Sequence, residues 1–250
     1  MGTCRRRATL TTMHIPTFGQ QNRNLKTRGK RMMRILIFGP PGSGKGTYSS
    51  RISEEFAIPH ISTGDIVRGE IEKNSTLGRR MEGYSKKGDL VPDSVVIDIL
   101  RRRMQRPDCK NGFILDGYPR TLAQDEALER ITPIDPVFYL DVPEHVSVER
   151  LLSRLVCQRC GAIYNDRFLR PRISGICDKC GGRLFKRHDD KPEVILKRLK
   201  IFNEQAKPLL DNYKRRGLLR TVVVNDNQTS PETVVDAILS TLKGESMSSR

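Results

Sequence analysis

The 250-residue chain contains no tryptophan and only six tyrosines and eight phenylalanines, too few aromatics for a surface built to stack bases. No apolar run approaches the ~18 residues that a membrane span requires, so an integral helical membrane protein is excluded. Six cysteines are too few for a scaffold stapled by disulfides. Acid is missing from one region: residues 1–32 carry eight basic side chains and neither Asp nor Glu. The formal charge of +16 therefore falls to +8 over the other 218 residues. A phosphate-handling cleft needs such a surplus as readily as a nucleic-acid surface does.

Residues 1–32 have no hydrophobic periodicity and cannot offset their ordering entropy by burial, so disorder is expected there. Three readings stay open: a true translation start at Met32 or Met33, a basic tail, or an organelle-targeting leader, Arg-rich but poor in Ser. No apolar segment follows the Arg cluster, which argues against secretion, and a cytoplasmic protein without membrane partners is expected. Beyond the leader, short apolar runs recur at 35–38, 58–61, 113–115, 137–142 and 218–224. Amphipathic helical stretches separate them, among them 48–56, 93–105 and 144–156. This alternation predicts an α/β fold, a parallel five-stranded sheet flanked by helices.

The first run ends in Gly39-Pro40-Pro41-Gly42-Ser43-Gly44-Lys45-Gly46-Thr47. Between a strand and a helix, such a loop turns backbone N–H groups inward, and the helix N-terminus adds partial positive charge. Gly42, Ser43, Gly44, Lys45, Gly46 and Thr47 are the expected cradle for the phosphates of a nucleotide, with Lys45 reaching the β- and γ-phosphates. Gly46 stands where the general pattern has Ser or Thr, so the hydroxyl arrives one residue late, at Thr47. Asp116 closes the 113–115 run, where open α/β sheets place their ligand crevice. There it serves either to hold waters of a Mg²⁺ ion or as a turn aspartate.

Cys157, Cys160, Cys177 and Cys180 form C-x2-C-x16-C-x2-C, with glycine after each pair. The spacing suits a closed tetrahedral Zn²⁺ site with no open position, hence a structural one. Disulfides or an iron–sulfur cluster are the alternatives. No role is assigned to Cys4 or Cys109.

Three further motifs follow in order: Ser62-Thr63-Gly64-Asp65-Ile66-Val67-Arg68, Gly88-Asp89-Leu90-Val91-Pro92, and Asp116-Gly117-Tyr118-Pro119-Arg120 with Gln124 beyond. Together with the glycine loop they resemble the adenylate kinases, from about residue 33 to 242. The resemblance implies a P-loop nucleoside monophosphate kinase fold whose core is 33–61, 92–152 and 191–242. It also implies an AMP-binding insertion at 62–91, a zinc-ribbon lid at 153–190 and a flexible tail at 243–250. Thr63, Arg68, Asp89, Leu90, Val91, Gly117, Tyr118, Pro119, Arg120 and Gln124 would surround AMP. Thr63 replaces the alanine usual in pyrimidine monophosphate kinases, and Gln124 offers the donor and acceptor that the adenine edge requires.

By the same resemblance Arg154, Ile163, Tyr164 and Gln228 belong to ATP, while Arg187 and Arg198 belong to the AMP and phosphoryl side. Asp65 stands as a second acid beside Asp116. The implied reaction is ATP + AMP ⇌ 2 ADP with Mg²⁺, carried by Lys45, Arg120, Arg154, Arg187 and Arg198 in a monomer without specific nucleic-acid partners. Two rivals stay open: a kinase acting on CMP, UMP or GMP, and a polynucleotide-binding ATPase using the basic leader and ribbon.

Overall fold

The computed structural model describes residues 32–248; the basic leader up to residue 31, Cys4 and the last two residues lie outside them. Five parallel strands form the main sheet in the order β2-β3-β1-β4-β8: β1 Met33–Phe38, β2 His60–Ser62, β3 Gly112–Asp116, β4 Val137–Asp141 and β8 Leu219–Val223. Residues 35–38 and all of β3 are buried. An unbroken apolar run is what a strand covered on both faces needs.

Alternation then divides the side chains between two cores. Ile35 and Ile37 join Ile114, Phe138 and Leu140 on one face, where α1 (Lys45–Phe56) and α8 (Pro231–Ser248) supply Ile52 and Ile238. Leu36 and Phe38 join Phe113 and Leu115 on the other. There α4 (Asp93–Met104), α5 (Leu122–Ile131) and α7 (Pro192–Arg215) supply Leu100, Leu128 and Leu209. Each fully buried aliphatic side chain contributes roughly 1.5–3 kcal/mol.

Helix ends follow local chemistry. Ser62 Oγ accepts the Asp65 N–H at 3.3 Å and starts α2 (Thr63–Glu72). Ser75 Oγ accepts the Gly78 N–H at 2.8 Å and starts α3 (Thr76–Lys87); both are N-cap bonds.

Several boundaries differ from the periodicity. α1 opens at Lys45, not at Tyr48, because its N-cap is Gly44 in the left-handed region. The stretch read as helix 144–156 divides: α6 is Glu144–Leu152, and the chain turns at Ser153 into β5 (Arg154–Cys157). Leu155 and Val156 pair with Tyr164 and Ile163 of β6 (Ile163–Asn165), so a long-range ladder overrides an apolar pattern that local reading continues as helix. With β7 (Leu184–Phe185) they form a three-stranded antiparallel sheet, β6-β5-β7. α8 stays helical to Ser248, past the 242 boundary expected for the core.

Candidate functional site

Parallel register brings three carboxyl ends level, since Asp116 pairs with Ile37 of β1 and with Ser62 of β2. The glycine loop, the start of α2 and the 116–120 turn thus open on one side of the sheet, where ligand crevices form in open α/β proteins. They line a cleft of about 570 Å³. Its walls include every residue expected around the nucleotides except Ser43 and Tyr118. Ser43 is wholly buried beneath the loop, and Tyr118 is buried with its hydroxyl donating to the Gln124 carbonyl at 2.9 Å.

Lys45 is half-buried at the cleft floor. Its Nζ donates to Gly39 O at 2.7 Å, Pro40 O at 2.8 Å and Ser43 Oγ at 3.3 Å. Burial, opposed by Asp116 but reinforced by the charges of Arg120, Arg198 and Arg154, lowers its pKa to about 8. Asp116 is 8% exposed, and its Oδ2 lies 3.3 Å from His60 Nε2. Gly46 leaves little room: a Cβ there would sit 3.1 Å from Ile163 Cδ1 and 3.6 Å from Asp116 Oδ2. The absent hydroxyl is therefore matched by the approach of the β6 side chain.

The other arginines converge on the same space. Arg120 Nε donates to Gly117 O at 2.8 Å, and Thr63 Oγ1 donates to the same carbonyl at 2.8 Å. Arg154 grips Asp190 through two bonds, Nε at 2.8 Å and a second through its terminal nitrogen. Arg187 grips Asp189 at 2.9 and 2.6 Å, and Arg198 reaches the same carboxylate at 3.1 Å. For Asp189, burial raises the pKa, but Arg187, Arg198 and Arg68 outweigh it and hold the carboxyl well below the usual range. Arg68 pairs with Asp65 one turn earlier in α2. Burial raises the Asp65 pKa as well, and Arg68 with Ser62 brings it down.

Three functional side chains escaped the sequence reading. Asp189, itself in the cleft wall, and Asp190 neutralise the arginines; the signal was two adjacent acids in a stretch, 179–192, otherwise free of acid. Arg150 on α6 links the glycine loop to the loop after β8, donating to Ser43 O at 3.4 Å, Asn227 Oδ1 at 2.8 Å and Asp226 O at 3.1 Å. In that second loop Asp226 Oδ1 accepts the N–H groups of Gln228 at 2.9 Å and Thr229 at 3.0 Å. Asp89 follows α3, and its carboxylate meets Lys197 Nζ at 2.5 Å.

The cysteine quartet forms its own small core. All four Sγ atoms lie within 4.8 Å of one another, with Cys157–Cys180 at 3.5 Å and Cys160–Cys177 at 3.6 Å. Tetrahedral Zn–S bonds of ~2.3 Å would set the sulfurs about 3.8 Å apart, so the donor set fits zinc. Gly161 and Gly181 take φ of 71°, which lets each knuckle close: their N–H groups donate to Cys157 O at 3.0 Å and Cys177 O at 2.9 Å. Burial raises the Cys177 pKa, but the Tyr164 hydroxyl and the N–H groups of Cys180 and Lys179 lower it to about 6. The Tyr164 side chain therefore belongs to the knuckle, where its oxygen also accepts the Asp178 N–H at 2.8 Å.

Comparison with known proteins bears on this geometry. The family model described as adenylate kinase matches residues 37–218. A protein named adenylate kinase from Caldicellulosiruptor saccharolyticus is 47% identical over 196 residues, 76% of this chain and 91% of that protein. Proteins of the same name are 43% identical in Archaeoglobus fulgidus (84% of this chain, 100% of the relative) and 45% in Moorella thermoacetica (81% and 95%).

Proposed function

Since the chain belongs to the adenylate kinase family, we propose that its cleft transfers the γ-phosphoryl group of ATP reversibly to AMP, giving two ADP. Two phosphate-bearing nucleotides repel each other, so the protein's work is positioning and charge neutralisation. The AMP phosphate is itself an anionic nucleophile and needs no catalytic triad. Lys45 and the inward N–H groups of residues 42–47 hold the ATP phosphates, while Arg154 and the backbone at Ile163, Tyr164 and Gln228 face the rest of ATP. Thr63, Arg68, the 89–91 backbone, Gly117, Pro119, Arg120 and Gln124 hold AMP, above Tyr118. Arg120, Arg187 and Arg198 approach the moving phosphoryl group from the AMP side.

Asp116, with Asp65 as its companion, would hold a Mg²⁺ ion that arrives with ATP; carboxylates at a strand end are hard oxygen donors of the required kind. When bound, the ion offsets phosphate charge. Cys157, Cys160, Cys177 and Cys180 would hold Zn²⁺ in a closed set, and bound zinc would tie the two knuckles into one body. Water competes with AMP as acceptor, so segments 62–91 and 153–190 close on the core before transfer. Both nucleotides find their ligands in a single chain, which supports a monomer, and the cytoplasm is its proposed compartment.

The observation that carries this reading is the meeting of Lys45, Arg120, Arg154, Arg187 and Arg198 at one cleft. A bisubstrate mimic, two adenosines joined through five phosphates, should bind far more tightly than ATP or AMP alone. A coupled assay with AMP, CMP, UMP and GMP should give turnover chiefly with AMP. Weak binding of the mimic, or preference for another monophosphate, would overturn the proposal.

A further inference from the structure

Gln124 is 2% exposed, and its side-chain amide is held at both ends. Oε1 accepts the backbone N–H of Arg120 at 2.8 Å, and Nε2 donates to Asp93 Oδ1 at 2.6 Å. The second oxygen of Asp93 accepts from Thr121 Oγ1 at 2.9 Å. Thr121 Oγ1 in turn accepts the backbone N–H of Gln124 at 3.2 Å. A backbone N–H only donates, and an ionised carboxylate only accepts. Turning the amide over would set N–H against N–H and carbonyl against carboxylate, so a single orientation survives. Each end keeps one more position, a second lone pair on Oε1 and a second N–H on Nε2.

Orientation matters because purines come in two opposed patterns. A 6-aminopurine presents a donor at its C6 substituent beside an acceptor ring nitrogen, and a 6-oxopurine presents an acceptor beside a donor. An amide free to turn over satisfies both, whereas a fixed one satisfies only one and opposes like groups in the other. We infer that Asp93, which has no contact with substrate in the proposed reaction, is a positioning residue for base selection. By fixing the Gln124 amide, it makes the acceptor site take a 6-amino purine monophosphate and refuse a 6-oxo one. The inference rests on the reading of Gln124 as the side chain that meets the base.

The test is the ratio of kcat/KM for AMP to that for IMP, with ATP as donor. Asp93→Ser keeps a polar residue at the start of α4 but is too short to reach Gln124. It should lower the ratio about tenfold or more, chiefly through the two monophosphate KM values, with the KM for ATP unchanged. Asp93→Asn should recover most of the ratio, because its carbonyl still accepts from Nε2 while its NH₂ turns to Thr121 Oγ1. If Asp93→Ser does not fold, Asp93→Thr takes its place with the same expectation. A proportional loss with AMP and IMP, leaving the ratio intact, is what a merely structural role gives and would overturn the inference. Gln124→Ala separates the two levels. If it too leaves the ratio intact, the base-reading role is wrong; if it alone collapses the ratio, only the part given to Asp93 is.

Discussion

Lys45 folds back on the loop it closes, its Nζ donating to the Gly39 carbonyl at 2.7 Å. The ammonium is thus satisfied by carbonyl oxygens in a partly dry, cation-rich setting, and its pKa stands at about 8. Phosphate oxygens would stabilise the charged form and raise that value. ATP binding should then take up a proton above pH 8: affinity stays level below that pH and falls by up to about tenfold per unit above it. Titration calorimetry at pH 7, 8 and 9 in buffers of different ionisation enthalpy reads both the slope and the proton. The same depression acts on folding. Between about 8 and the ordinary lysine value the unfolded chain holds the extra proton, so this group's contribution to stability rises with pH across that window.

Arg120 is the cation whose loss should separate binding from chemistry. Its Nε bond to Gly117 O fixes the guanidinium from the turn after β3 rather than from the glycine loop. Arg120→Ala should bind ATP nearly as well as the unaltered protein and lose on the order of 10²-fold or more in turnover, the usual cost of removing a charge that meets a transferring phosphoryl group. Retention of more than about a tenth of the turnover in a coupled assay would remove Arg120 from the role given to it.

What was legible in the chain was what is local. The buried strands declare themselves as unbroken apolar runs, and the glycine loop, the 62–68 and 116–120 motifs and the cysteine spacing need no tertiary information. What stayed hidden depends on residues far apart meeting. Arg150 matters through Asn227, 77 residues on, and Asp93 through Gln124, 31 residues on. Tyr164 lines the cleft beside Ile163, but that its ring also packs against Cys177, thirteen residues on, depends on how the ribbon folds. Arg154 was visible as a cation, but not that β5 begins with it.

Gly42 is fixed by two constraints at once. Its φ is +85°, and a Cβ there would lie 2.5 Å from Ser147 O and 3.0 Å from Leu151 Cγ, the first of them helix backbone that has no room to yield. Gly42→Ala should therefore cost about 2 kcal/mol or more. In a domain of this size that is roughly 4–8 °C in melting temperature, readable by calorimetry. An unchanged transition would mean that the loop relaxes at no cost.

Removing metal from the cysteine quartet should loosen segment 153–190 and leave the main sheet folded. The small core there is Cys157, Tyr164 and Cys177 with a few half-buried neighbours, too little apolar surface to hold its shape alone. Cys157→Ser, or a strong chelator, should lower the first thermal transition and raise the KM for ATP, with far-ultraviolet circular dichroism of the core retained. An identical calorimetric trace for Cys157→Ser would show that the thiolates do not hold the segment together.

Asp189 should reveal itself through the pH dependence of stability. It neutralises Arg187 and Arg198 together, and its carboxyl titrates well below the ordinary aspartate value of ~3.9. A depressed carboxylate contributes stability that is fully present above its unfolded pKa and lost as pH falls toward its folded one. Asp189→Asn removes the charge at every pH, so its deficit against the unaltered protein should be largest near pH 7, about 2–3 kcal/mol for a mostly buried pair. Below about pH 4 the deficit should narrow by up to about 1.4 kcal/mol per unit as the native carboxylate loses its advantage over the unfolded one. Urea titrations of both proteins at pH 7, 4 and 3 measure the gap directly, and because other carboxylates act equally in both, the difference isolates this one. A gap that stays constant across the series would mean that Asp189 acts as a hydrogen-bond acceptor alone, without its charge counting toward the cluster.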